Sequence, residues 1–198
     1  MVVRPATLKL IPGKIARLVS WVGHPLVFVL ATVVIVLGTQ MRMAAAWPIV
    51  ACLFFSVLLP TGLLLFFGVR SGRWKDADVS VREERKRFYL WAIPISAIGV
   101  VTTWLSHAPF FILRGGIATL GLFVLAAVIN AWFKISLHTL FALFCTTVLF
   151  RVGLMPGLCA LGLSAFVFWS RLFLGRHTAA ENWVGVLIGV GGGLAAVW

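Results

Sequence analysis

Seven apolar runs, at about 20–39, 48–68, 88–106, 115–133, 135–150, 155–170 and 182–198, take up most of this chain. A helix needs roughly 17–25 residues to cross a bilayer. The first four runs reach that length plainly, and the fifth and sixth are completed by flanking residues. Composition points the same way. The 198 residues are 62% hydrophobic and 11% charged, with a mean hydropathy of +1.08. A soluble domain is nearer about 45–50% apolar. The expected fold is an all-α integral membrane protein, a bundle of six to seven transmembrane helices.

Tryptophans support the borders. Trp21, Trp47, Trp91, Trp104, Trp132, Trp169, Trp183 and Trp198 lie near run ends, where interfacial aromatics sit. In the last run Gly185, Gly189 and Gly193 are four apart, the spacing that lets helix backbones approach closely. Residues 1–19 read as a basic N-terminal interfacial segment. Arg4, Lys9, Lys14 and Arg17 are set among aliphatics there, the pattern of a helix lying on a membrane surface. Its long positive region, and an apolar core running on to about Thr39, argue against a cleaved signal peptide. Residues 20–198 read as one transmembrane domain without internal repeat or linker. Cys52, Cys145 and Cys159 lie inside apolar runs without metal or redox spacing.

The formal net charge is +12. No soluble face is long enough to carry a groove-reading element, so nucleic acid is not the expected partner. Membrane lipids and phosphorylated lipids suit the charge better. With seven spans, fourteen Lys and Arg fall on one side and three, Arg42, Arg114 and Arg151, on the other. The positive-inside rule makes the richer side cytoplasmic. The expectation is an inner or plasma membrane protein whose active site faces the cytoplasm. Nothing in the sequence sets an oligomeric state.

Three polar islands share the richer side: the opening stretch, residues 70–87 and residues 133–139. Charges held near helix ends in such an apolar chain usually have a partner or a task. Lys75, Arg82, Arg85, Lys134 and Arg171 offer cationic donors, and Arg forks match phosphate oxygens. Ser136 adds a hydroxyl. His138 and His177 titrate near neutrality. Glu181 follows His177 by four residues, which on a helix sets its carboxylate beside the imidazole. Such a pair can orient a histidine as base or nucleophile, and a second histidine can protonate a leaving oxygen. No carboxylate cluster or Cys/His set suggests a metal, and no cofactor is expected. His24 and His107 read as structural. These parts describe metal-independent phosphate ester hydrolysis through a phosphohistidine.

Ser170-Arg171, five residues, His177, three residues, Glu181 resembles the third signature of the type 2 phosphatidic acid phosphatase superfamily, SR-x5-H-x3-D. Ser136-Leu137-His138 resembles part of its second signature, PSGH, and Lys75, six residues, Arg82 its first, K-x6-RP. The matches occur in family order, from about residue 70 to the end. The resemblance implies a helical core shared with chloroperoxidases and a lipid phosphatase activity. Its substrate would be a phosphomonoester or diphosphate of a lipid: phosphatidic acid, phosphatidylglycerophosphate or a polyprenyl (di)phosphate. Lys75, Arg82, Ser136 and Arg171 would bind phosphate, His177 would be the nucleophile oriented by Glu181, and His138 the general acid. Glu181 stands where the family has Asp. Ile135 and Leu137 replace the Pro and Gly of PSGH, and Lys134 is placed to compensate. Glu83 stands where the first signature has Pro, which leaves Arg85 as an alternative clamp.

Two other classes compete. A non-catalytic membrane protein that binds or moves phosphorylated lipids would keep the cations but would not need two histidines. Against a small transporter, no acidic residue falls inside an expected span and no broken-helix pair is apparent.

Overall fold

The computed structural model describes residues 10–197, so residues 1–9 of the expected basic N-terminal segment lie outside the described residues. Every regular element among them is helical: α1 Leu10–Val22, α2 Pro25–Gln40, α3 Met43–Leu53, α4 Leu59–Arg70, α5 Arg82–Leu105, α6 Phe110–Asn130, α7 Leu137–Val152, α8 Leu154–Phe173 and α9 Ala179–Val197. α3 and α4 join through a π-helical turn, Phe54–Leu58, into one stretch of 28 residues. That stretch, α5, α6, α8 and α9 are five helices long and apolar enough to cross a membrane, and the bent pair α1–α2 makes six if it is one span. α7 is apolar but has only 16 residues, about 24 Å at 1.5 Å per residue. It is the short member of an all-α, membrane-type bundle.

Two expectations are corrected. The first apolar run is not one helix, because α1 and α2 meet at 52°. Pro25 disfavours the helical conformation in the residue before it, and His24 is extended with ψ 138°. The helix restarts with His24 as its cap, Nδ1 accepting from the Leu26 N–H at 3.3 Å. The absence of a broken-helix pair therefore does not hold. The 70–87 island is not one loop either. α5 begins at Arg82, with Glu83 and Glu84 in its first turn, where negative charge complements the helix dipole.

The π turn also has a local cause. Pro60 has no N–H and cannot bond the Ser56 carbonyl four residues back, so the ladder slips. The Leu59 N–H reaches Phe54 O, five residues back. Such bulges widen a helix locally.

α7 lies at the centre, packed along α2, α8 and α9. Its closest neighbour is the glycine stripe of α9. A Cβ on Gly185 would lie 2.9 Å from Ser136 O, one on Gly193 would lie 2.5 Å from Thr147 Cβ, and one on Gly189 would overlap the Leu140 carbonyl oxygen. A backbone atom cannot rotate aside. Gly189→Ala is therefore expected to cost about 1–3 kcal/mol, the usual range for overpacking, seen as a lowered melting temperature in detergent. Gly191→Ala, whose Cβ would meet nothing within 4 Å, is the control and should be neutral or slightly stabilising. Equal melting of the two variants would contradict the tight α7–α9 seam.

Candidate active site

The site forms where the N-termini of α7 and α9 meet the C-terminus of α8 and the 71–81 loop. Ser136 caps α7, its Oγ accepting from the Thr139 N–H at 3.4 Å. The Ser136 N–H donates to Glu181 O at 3.2 Å, which ties the two helix starts together. Thr139 Oγ1 adds a second tie to Asn182 Oδ1 at 2.8 Å. Two helix N-termini, each with unpaired N–H groups and a positive dipole end, thus point into one place.

α8 leaves by a tight turn. Gly175 has φ +63°, a left-handed conformation that glycine adopts without strain. The chain doubles back so that the Arg171 carbonyl accepts the N–H of Arg176 at 3.0 Å and of His177 at 3.3 Å. The five-residue spacing from Arg171 to His177 therefore brings the two residues together.

His177 Nδ1 lies 2.7 Å from Glu181 Oε2. The expected route to this pair was one helical turn, but His177 precedes α9. Thr178 and Glu181 form a capping box: Thr178 Oγ1 accepts from the Glu181 N–H at 3.2 Å, and Glu181 Oε2 accepts from the Thr178 N–H at 3.2 Å. The carboxylate folded back to cap the helix meets the imidazole on the way. Its bond to Nδ1 turns the other ring nitrogen, Nε2, inward. Nε2 is buried and has no hydrogen-bond partner among the described residues. Burial, then the charges of Arg85, Arg171, Lys134 and His138, push His177 far below its ordinary pKa and keep it neutral.

Arg171 is fully buried. Its Nη1 donates to Ser20 Oγ at 2.6 Å and to Asp78 Oδ2 at 2.7 Å. Nε and Nη2 are buried without partners among the described residues. These two donors form one edge of the guanidinium, the edge that grips an oxyanion with two parallel bonds. Arg85 is also almost fully buried; it donates from Nε to Val79 O at 2.9 Å and from Nη1 to Ile135 O. Lys134 Nζ donates to Arg176 O at 2.8 Å, and burial with Arg85 close by lowers its pKa. His138, from the first turn of α7, is buried, and its Nε2 has no hydrogen-bond partner.

Lys75, Arg82 and Ser136 do not stand as expected. Lys75 is exposed on the loop, its backbone N–H bonded to Glu84 Oε2 at 3.1 Å. Arg82 donates from Nε to Asn130 O at 2.9 Å and from Nη2 to Ala131 O. It binds the carbonyls that end α6, where a cation is favoured. Arg85, one turn on, is the arginine beside His177. The Ser136 hydroxyl is fully buried and serves the α7 cap.

Two residues of the site were missed. His24, read as structural, has its ring centroid 5.2 Å from that of His138. Asp78 lies 2.7 Å from Arg171 and 3.6 Å from His138 Nε2. The loop holding Asp78 turns through Val79 at φ +45°, costly for a β-branched residue and held by its burial and its bond to Arg85. Asp78 was detectable in principle as one of five acids in a strongly cationic chain.

His24, Asp78 and His138 each offer a ligand atom within 4.8 Å of the others, so this trio could hold a metal ion. It corrects the expectation that no such set exists. The charge around it argues otherwise: Asp78 is already bonded to Arg171, with Arg85, Arg176 and Lys134 nearby, a surplus of positive charge that favours an anion. No protein-family model, curated protein or solved structure matches the chain.

Proposed function

We propose that the protein is a membrane-embedded lipid phosphatase of the type 2 phosphatidic acid phosphatase kind, hydrolysing a lipid phosphomonoester or diphosphate through a phosphohistidine. The observation that carries this reading is the group of buried polar atoms without partners: His177 Nε2, His138 Nε2, and Arg171 Nε and Nη2. Buried polar groups are almost always satisfied. Three cationic side chains and two helix N-termini around them suit a tetrahedral oxyanion.

The Arg171 edge, Arg85 and Lys134 hold the phosphate. His177 Nε2 attacks phosphorus as the phosphorus–oxygen bond to the lipid breaks. His138 passes a proton to the departing alkoxide. Water then attacks the phosphohistidine, its protons staying with the phosphate; the phosphorus–nitrogen bond breaks, orthophosphate leaves, and His138 regains its proton from solvent. The surplus of Lys and Arg at this end supports a cytoplasmic active face.

The test is phosphate release by purified protein from a panel of lipid phosphates, with and without EDTA. Turnover unaffected by EDTA is expected. A second reading rests on the His24–Asp78–His138 trio, a metal-dependent hydrolase. Loss of turnover in EDTA, restored by a divalent cation, would replace the first reading with the second. Binding without release would mean a non-catalytic carrier.

In the first reading Asp78 is a positioning residue, since with Ser20 it holds Nη1 and leaves the opposite edge of Arg171 free. Asp78→Ala is then expected to raise KM and the orthophosphate inhibition constant about tenfold, near the worth of one charge-assisted hydrogen bond. Asp78→Asn, which keeps an acceptor for Nη1, should recover most of that. Unchanged constants in Asp78→Ala would remove Asp78 from this role.

A further inference from the structure

At the end of the bundle away from the phosphate site lies a cavity of about 540 Å³, within the range of small-molecule and lipid-chain sites. It is framed by α2, the end of α3 and the π turn after it, the middle of α5, the first half of α6, the second half of α7 and the end of α9. Its walls are mostly apolar. Two of the three cationic residues at this end, Arg114 and Arg151, line it.

Among the described residues the arginines have no acidic side chain beside them. All five acids of the chain are Asp76, Asp78, Glu83, Glu84 and Glu181, and all belong to the phosphate-site end. Arg114 makes one long bond, Nη2 to Ala195 O at 3.3 Å, and stands over the Phe110 ring at 5.9 Å. Arg151 is exposed and forms no ion pair among the described residues. Arginines on the cation-poor side act against the orientation bias, and near hydrocarbon they need a partner. Inside the cavity, Thr32 Oγ1 is buried beside the Cys145 thiol, a polar spot in the apolar wall. The π turn contributes Val57 and Leu58 to the wall, next to Leu53 at the end of α3, so the slip at Pro60 shapes this cavity.

We propose that this cavity is a binding site for an anionic lipid of the leaflet opposite the phosphate site: the headgroup phosphate on Arg114 and Arg151, one acyl chain between α2, α6 and α7. An apolar wall with cations at one end matches an anionic amphiphile. The site does not depend on the phosphatase reading, since it shares no residue with the phosphate site. The two are joined only by α7, which carries His138 at one end and Arg151 at the other.

Native mass spectrometry of the full chain from a non-ionic detergent tests this, with dioleoylphosphatidylglycerol and dioleoylphosphatidylcholine as probes at equal concentration. Wild type should retain one phosphatidylglycerol with about a 30-fold preference, the scale expected of two arginines near a headgroup. Arg114→Gln with Arg151→Gln should erase that preference, while Arg42→Gln, outside the cavity lining, should keep it. Gly115→Phe is the second arm. Gly115 lines the cavity and a Cβ there would meet nothing within 4 Å, so a bulky side chain at this position competes for the cavity space, and binding of both lipids should fall. Three results would overturn the proposal: equal retention of the two lipids by wild type, an undiminished preference in the double variant, or wild-type binding by Gly115→Phe. A dimer weakened by these same substitutions would also overturn it, by naming a second copy as the occupant.

Discussion

His177→Asn is expected to bring phosphate release from every substrate to background, a loss of roughly 10⁵–10⁶-fold, as when a covalent nucleophile is removed. The reason is geometric. Glu181 occupies Nδ1 at 2.7 Å and Nε2 is left buried and unpaired, so one atom carries the attack. No cysteine is placed to substitute, since Cys52, Cys145 and Cys159 all lie within apolar helices. Asparagine keeps a polar group opposite Glu181, so the capping box should survive and the variant should fold. A separate readout checks this. His177 is held neutral by burial and by cations from α5, α8 and the 131–136 loop, so its folded pKa lies below the 6.5 of the unfolded chain. As pH falls through about 6.5 the unfolded state takes up a proton that the folded state refuses, and stability drops. His177→Asn removes that term, so its melting temperature should fall less between pH 7.5 and 5 than that of wild type. Residual turnover above about 1% of wild type would rule out the phosphohistidine route.

How legible this was in the sequence depended on whether a feature is local. The apolar runs are local, and five of the helices they predict are long and apolar enough to span. The glycine spacing in α9 is local too, and it marks the face that touches α7. His177 does meet Glu181, and its N–H the Arg171 carbonyl, but not through the helical turn that the spacing implies. A capping box, Thr178-x-x-Glu181, was present in the sequence and explains the contact better than a helical turn does. The start of α5 was hidden because its first two turns are charged and lack any apolar signal, so Arg82 and Arg85 stood as equal candidates. Which of them reaches His177 depends on where α6 ends: its terminal carbonyls take Arg82. His24 and Asp78 were illegible for a stronger reason. His24 is 114 positions from His138 and Asp78 is 93 from Arg171, and only the packing of α2 and the loop against α7 and α8 brings them together. The basic first residues lie outside the described range.

The division of labour between the two histidines gives the second large effect. If His138 only protonates the departing oxygen, its loss should matter in proportion to how badly the leaving group needs a proton. A lipid alkoxide is a poor leaving group, so His138→Ala should lose about 10²–10⁴-fold on a lipid phosphate, the usual worth of general acid catalysis. Nitrophenyl phosphate departs as a stable phenolate, and the same variant should keep a much larger fraction of that activity. Hydrolysis of the phosphohistidine releases no alkoxide and does not depend on His138 as an acid. The position of His138 suits this restricted role: it sits on the first turn of α7, buried, with Nε2 unpaired and Asp78 Oδ1 at 3.6 Å. It therefore faces the site from a different helix than the one that carries Glu181. His177→Asn must by contrast fail on both substrates, since both require the phosphorus–nitrogen bond. Assigning the roles in reverse predicts the opposite pair of results, with nitrophenyl phosphate turnover surviving in the His177 variant. Were both variants to lose both activities equally, the assignment of His138 as the general acid would be overturned.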